Sequence, residues 1–309
     1  MENEVAIEFP PLIRVYKDGR VERLLGNVTV PPQNDAETGV QCKDTIVSPE
    51  NNLSARLFAP KPASDRAGKK LPLVIYIHGG AFCVQSPFSP TYYGHLVSLV
   101  NAGELLVVAV EYRRAPEHFL PVAYDDTWEA IKWVASHAGG VGSEPWINEL
   151  ADLDRVFLAG EASGANIAHT MGIKAGLEGM PTGTNLVGMI LVHPYFVDDK
   201  DAQSKTKFLD YIYPTRQGWD DPRINPVGAG PEHLAGLGCS KVLVCVASED
   251  AMVGKSGVNY YEGLKRSGWS GEVELIVSEG EGHIFHLKNP KGEKAQDLVA
   301  KIVSFIHQV

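Results

Sequence analysis

The hydrophobic rhythm of the chain changes near residue 71. Before that point, short apolar and polar alternations are separated by turns: "LIRVYKDGRVERLL" reads as two strands joined through Lys17-Asp18-Gly19, and "NLSARLFAP" as another. After it come continuous apolar runs, "LPLVIYI" (71–77), "LLVVAVEY" (105–112), "RVFLAG" (155–160), "LVGMILV" (186–192), "KVLVCVA" (241–247) and "EVELIVS" (272–278). A strand that is apolar at every position has both faces covered, and helical spacing fills the intervals at 122–138, 164–177, 256–267 and 291–307. In the first of these helices Trp128, Ile131 and Val134 recur on one face. The pattern predicts an α/β fold, a mostly parallel central sheet with helices on both faces. Residues 197–235 interrupt it with charge, Pro and Gly, and an insertion after a strand's carboxyl end lies over the ligand crevice of such a sheet. They are expected to form a cap insertion, with residues 1–40 as an N-terminal cap segment, on a single domain spanning 1–309.

Composition narrows the function. The 309 residues, 44% hydrophobic and 21% charged, provide ample material for a core. A net charge of -10, with no cluster of Lys and Arg, argues against a nucleic-acid surface. Cys42, Cys83, Cys239 and Cys245 are scattered without zinc-ligand spacing, and no apolar run reaches the ~18 residues of a membrane span. No metal or organic cofactor is implied. The expected partner is a small-molecule substrate, with no nucleic acid or membrane, bound by a monomer or homodimer in the cytoplasm or also in the nucleus.

Three local features carry chemistry. His78-Gly79-Gly80-Ala81-Phe82 follows a buried run directly, and adjacent glycines leave backbone N–H groups unobstructed, as an oxyanion loop requires. Gly160-Glu161-Ala162-Ser163-Gly164 joins a strand pattern to a helix pattern, which is the context of a nucleophile elbow: small residues flank a strained turn that exposes its central side chain. The N–H of Ser163 would then complete the oxyanion hole with those of Gly79 and Gly80. Asp250 follows the run at 241–247 and His283 the run at 272–278, so the chain order is elbow, acid, histidine. Among ten histidines, position selects His283; Glu249 is the reserve acid, and His286 reads as packing.

The chain resembles the plant carboxylesterases related to hormone-sensitive lipase, a family that also contains gibberellin receptors and hydroxyisoflavanone dehydratases. "FPPLIRVYKDGRVERL", "HGGAFCVQSPFSPTYY", "VEYRRAPEH", "AYDDTWEAIKWVASH", "SGANIAH", "DDPRINPV", "SGWSGEVEL" and "GHIFH" carry the resemblance over nearly the whole length. It implies an α/β-hydrolase fold and hydrolysis of a small carboxylic ester by a nucleophile, His283 and Asp250. The family's usual elbow reads Gly-Asp-Ser-Ala-Gly, with Thr at the centre in dehydratases. Here the centre is Ala162, the nucleophile position without a nucleophile.

A methyl group cannot attack a carbonyl, so acyl transfer should be close to absent in this chain. Ser163 is not expected to take over, because the elbow aims only its central side chain at the histidine. Either Ala162 is an engineered replacement of Ser or Thr, or it is natural and the scaffold performs elimination or cyclisation with His283 as base. A gibberellin-receptor-like binding role is a further alternative. Phe82, Tyr92, Tyr93, Tyr195 and Phe196, after strand ends or the oxyanion loop, suggest an aromatic pocket for a small apolar or aromatic substrate.

Overall fold

The computed structural model describes residues 4–62, 68–197 and 202–308. Residues 63–67 and the start of the expected cap insertion, 198–201, lie outside the described residues. The first three strands, β1 (Val5–Phe9), β2 (Ile13–Tyr16) and β3 (Val21–Arg23), form a small antiparallel sheet. The turn through Lys17-Asp18-Gly19 joins β2 to β3, and Gly19 takes a positive φ of 87° there. Beyond it lie β4 (Gln41–Ser48), β5 (Leu53–Ala59), β6 (Leu71–Ile77), β7 (Leu106–Glu111), β8 (Ala151–Glu161), β9 (Leu186–Val192), β10 (Lys241–Ala247) and β11 (Glu272–Ser278). These build an eight-stranded sheet in the order β11-β10-β9-β8-β6-β7-β5-β4. Pairing is parallel from β7 to β11, and antiparallel where β5 joins β7 and β4 joins β5.

The unbroken apolar runs follow from two-sided burial. In β6, Leu73, Ile75 and Ile77 enter one core while Val74 and Tyr76 enter the other; in β8, Val156 and Leu158 oppose Phe157 and Ala159. The first core is closed by helices α2 (Val122–Ala135), α4 (Ser163–Glu178) and α7 (Gly254–Arg266). The second is closed by α1 (Pro90–Gly103) and α9 (Glu293–His307). Helix α1 buries Tyr92, His95, Leu96, Leu99, Val100 and Gly103 along one face, with Val97 buried beside them. Its start is set by the Ser89 side chain, which accepts the Thr91 N–H, and by Pro90 in the first turn. Strand β11 differs from its expected two-sided burial: it is an edge strand with Val277 41% exposed, so its apolar run has one protected flank.

The chain runs from β6 outward to β7, then crosses back to place β8 on the other side of β6. The carboxyl ends of β6 and β8 are therefore neighbours, Ile77 level with Gly160, at the point where strand order reverses and ligands bind in such sheets. Helix α4 turns back immediately from β8 and presses on β6. A Cβ at Gly164 would lie 2.0 Å from the Ile77 carbonyl oxygen, and one at Gly160 would lie 2.6 Å from the Gly164 carbonyl carbon. Gly164→Ala is expected to lower unfolding stability by at least about 2 kcal/mol, because the obstacle is backbone that cannot swing aside. Urea unfolding with an unchanged midpoint would contradict this account.

Candidate active site

Ala162 sits between β8 and α4 with φ 50° and ψ -118°, a backbone conformation that a residue with a Cβ adopts at a cost of about 1–3 kcal/mol. The surroundings enforce it. Its N–H donates to the Val192 carbonyl (3.0 Å), and its own carbonyl accepts from the N–H groups of Tyr195 (3.0 Å) and Asn166 (3.2 Å). In a planar trans peptide the carbonyl and the following N–H point in opposite directions. The Ser163 N–H thus faces away from those contacts, in the first turn of α4 where no intrahelical acceptor exists.

The same reasoning orients the loop after β6. The Gly79 carbonyl accepts from His78 Nδ1 (2.7 Å), and the Gly80 carbonyl accepts from the N–H groups of Cys83 (3.0 Å) and Val84 (2.9 Å). The N–H groups of Gly80 and Ala81 therefore point the other way, and among the described residues neither meets an acceptor. The expectation for Gly79 is corrected: its N–H is taken by Glu161 Oε1 (2.6 Å) and the Tyr92 hydroxyl (3.0 Å), and so is unavailable to a ligand. Glu161 is 1% exposed and also receives the Tyr76 hydroxyl. Burial pushes its carboxyl above the ordinary range, against the hydrogen bonds of Tyr76, Tyr92 and the Gly79 N–H that pull it down. Sequence reasoning passed over Glu161, Tyr76 and Ala81. A polar tip in the buried run "LPLVIYI" and a carboxylate beside the elbow's centre were the available signals.

Ser163 is fully buried, and its Oγ accepts the Phe82 N–H at 3.2 Å. Its hydroxyl ties the elbow to the oxyanion loop and stands apart from the nucleophile position. Across the sheet, His283 Nδ1 lies 2.7 Å from Asp250 Oδ2, and Asp250 Oδ1 accepts the N–H groups of Met252 (2.9 Å) and Val253 (3.1 Å). Burial raises the Asp250 carboxyl, but the hydrogen bond and charge of His283, together with those two N–H groups, outweigh it and leave the carboxyl below its ordinary value. Bonded through Nδ1, the ring keeps Nε2 for a substrate. Glu249, the reserve acid, is exposed and outside this pair. His193, Asp250 and His283 bring ligand-type atoms within 4.8 Å of one another, a grouping that the Asp250–His283 hydrogen bond and the Ile284 N–H on His193 Nδ1 account for.

The sequence and the fold both match known proteins. A family model described as the alpha/beta hydrolase fold matches residues 74–287. "Probable carboxylesterase 13" of Arabidopsis thaliana is 45% identical, with 99% of each chain covered, and "2-hydroxyisoflavanone dehydratase" of Glycyrrhiza echinata is 42% identical over 98% of this chain and 96% of the other. The chain belongs to the plant carboxylesterase family of α/β hydrolases. Carboxyl esterase 2 of the fungus Tuber melanosporum shares the fold at a TM-score of 0.70 and 18% identity, covering 92% of this chain and 91% of that one. No helix among the described residues is long and apolar enough to cross a membrane.

In this carboxylesterase-family member the expected aromatic pocket is corrected in part. Phe82 and Tyr195 stay beside the elbow, their rings 6.3 Å apart. Tyr92 lies beneath the oxyanion loop, edge-on to Tyr76 at 6.2 Å, and Tyr93 turns to Phe58 (6.1 Å) and the Gln33 carbonyl (3.2 Å). Phe196 stacks on Tyr260 at 4.9 Å inside the core. Period and position cannot separate pocket from core when both are aromatic.

Several histidines are held neutral by burial. It pushes His78 and His169 down to about 3, aided by the charges of Arg114 and His233 respectively, and His95 down to about 4. A folded pKa below the unfolded value of about 6.5 means that the unfolded chain binds the extra protons. The stability these residues confer is complete above pH 6.5 and drains as pH falls toward 4, at up to about 1.4 kcal/mol per pH unit for each. Urea midpoints should fall from pH 7.5 to 5, and His95→Phe should flatten the slope; an identical slope in that variant would refute the assignment.

Proposed function

We propose that this chain has the scaffold of an esterase for small apolar or aromatic carboxylic esters, with its nucleophile replaced by Ala162. The 2.7 Å bond between His283 Nδ1 and Asp250 Oδ2 carries the reading, because it holds a base at the same carboxyl edge of the parallel strands as an elbow whose backbone is strained although its side chain is a methyl. With Ser at position 162, the hydroxyl attacks the ester carbonyl, His283 Nε2 takes its proton and returns it to the leaving alcohol, and Asp250 steadies the imidazolium. The N–H groups of Gly80, Ala81 and Ser163 receive the oxyanion. The small N-terminal sheet and helix α5 (Ala202–Ile212) form the cap over one domain, supported by Phe9 packing on Phe208 (5.3 Å) and Tyr211 (5.4 Å).

As the chain stands, p-nitrophenyl acetate should be hydrolysed at close to the background rate, with no acyl-enzyme burst. Ala162→Ser should restore the burst and raise turnover at least about 10³-fold, and His283→Ala in that background should abolish the gain. Absence of burst and turnover in the Ala162→Ser chain would remove the esterase reading.

A second reading draws on the intact base and on the 42% identity to a protein named as a dehydratase. Proton abstraction beside a carbonyl needs a base and enolate-stabilising N–H groups but no nucleophile, and His283 with Gly80, Ala81 and Ser163 supplies both. The unmodified chain should then eliminate water from a β-hydroxy ketone, and His283→Ala should stop it. A panel of such ketones left unconverted by the unmodified chain would count against this reading.

A further inference from the structure

His283 is carried by the turn Glu279-Gly280-Glu281-Gly282, whose two glycines allow many backbone conformations. On the β10 side this turn is anchored: the Gly280 N–H donates to Ser248 Oγ (2.8 Å), and the Glu249 N–H donates to the Glu281 carbonyl (2.9 Å). Those bonds fix the start of the turn but leave the peptide that follows His283 unsecured. The residue that secures it comes from β9. His193, immediately after that strand and 1% exposed, accepts the Ile284 N–H on its Nδ1 at 3.0 Å. Its ring lies 5.7 Å from the His283 ring, and its own N–H is tied to the Cys245 carbonyl of β10 at 2.7 Å.

The chemistry of this contact is specific. A backbone N–H can only donate, so His193 Nδ1 carries no proton and the neutral ring holds its proton on Nε2. Burial and the charge of His283 push the His193 pKa down to about 4, which keeps the ring in that form at neutral pH. Nε2 is buried and has no partner among the described residues, a penalty that a Leu or Phe of similar size would avoid. The nitrogen that justifies a histidine here is therefore the acceptor at the δ position. His193 also takes a φ of 46° and Ile284 one of 52°, so both ends of the hydrogen bond sit in the left-handed region and need outside support.

We propose that His193 is a positioning residue: by holding the Ile284 N–H it fixes the turn that presents His283 to Asp250 and to the reacting group. The proposal rests on the reading of His283 as the base. His193 acts through the backbone and does not touch the substrate.

Three substitutions separate the acceptor from the backbone. His193→Asn keeps an acceptor at the δ position and tolerates positive φ; His193→Gly keeps the φ without an acceptor; His193→Gln moves the acceptor one bond outward. In the Ala162→Ser background the Asn variant should keep kcat within about threefold, whereas Gly and Gln should lose about tenfold or more in kcat, with KM changed less than about twofold. In the unmodified chain, Ile284 amide exchange should accelerate about tenfold or more for Gly and Gln but not for Asn, and ring-nitrogen shifts should show His283 losing its single Nδ1–H tautomer in the same two variants. If Gly matches Asn, the backbone conformation alone matters and the proposal is overturned. Unchanged Ile284 exchange and His283 tautomer in all three would overturn it as well. Should the Ala162→Ser chain itself fail to turn over, the esterase reading falls, while the exchange and tautomer measurements still decide the part played by His193.

Discussion

The close approach of α4 to β6 is the constraint on which the site depends. With a Cβ at Gly164 only 2.0 Å from the Ile77 carbonyl oxygen, there is room for backbone alone. That contact compels β8 to turn sharply into α4, which drives Ala162 into its strained conformation and leaves the Ser163 N–H without an intrahelical acceptor at a helix start. It also brings the elbow against the loop after β6, where the Ser163 hydroxyl and Glu161 hold the Phe82 and Gly79 N–H groups. The directions of the Gly80, Ala81 and Ser163 N–H groups are thus products of packing: each is set by the hydrogen bonds of the carbonyl before it.

Electrostatics separates two of the buried carboxylates. Asp250 is held ionised by His283 and two N–H groups. Glu161 is lifted by burial and takes the Gly79 N–H. The strained turn at Ala162 and the bond between His283 and Asp250 therefore stand together with a methyl at the centre of the turn.

Much of this was legible along the chain. The continuous runs of β6 to β10 read as strands covered on both sides, and the order of elbow, Asp250 and His283 along the chain picks out the two side chains that the fold joins by a hydrogen bond. The failures share a cause. Gly79 was assigned to the oxyanion because it lies in a glycine pair, but the direction of its N–H is set by Glu161, 82 residues away. Phe196 and Tyr93 were placed in a pocket because they follow strand ends, yet their partners are Tyr260 and Phe58 in the core. Helix α1 gives little polar contrast along the chain, because the face opposite its buried stripe, with Gly94, Ser98, Asn101 and Ala102, carries no charged residue.

By itself the sequence determined the class of fold, the identity of the residue at the nucleophile position and the chemical types gathered for the site, because hydrophobic period and side-chain chemistry are local properties. Only the tertiary structure decided which N–H groups meet an acceptor, which carboxylate pairs with His283 and which side chain takes the Ile284 N–H. Those outcomes depend on hydrogen bonds between segments far apart in the chain, such as Ile284 with His193, and no local pattern encodes the partner of a backbone amide.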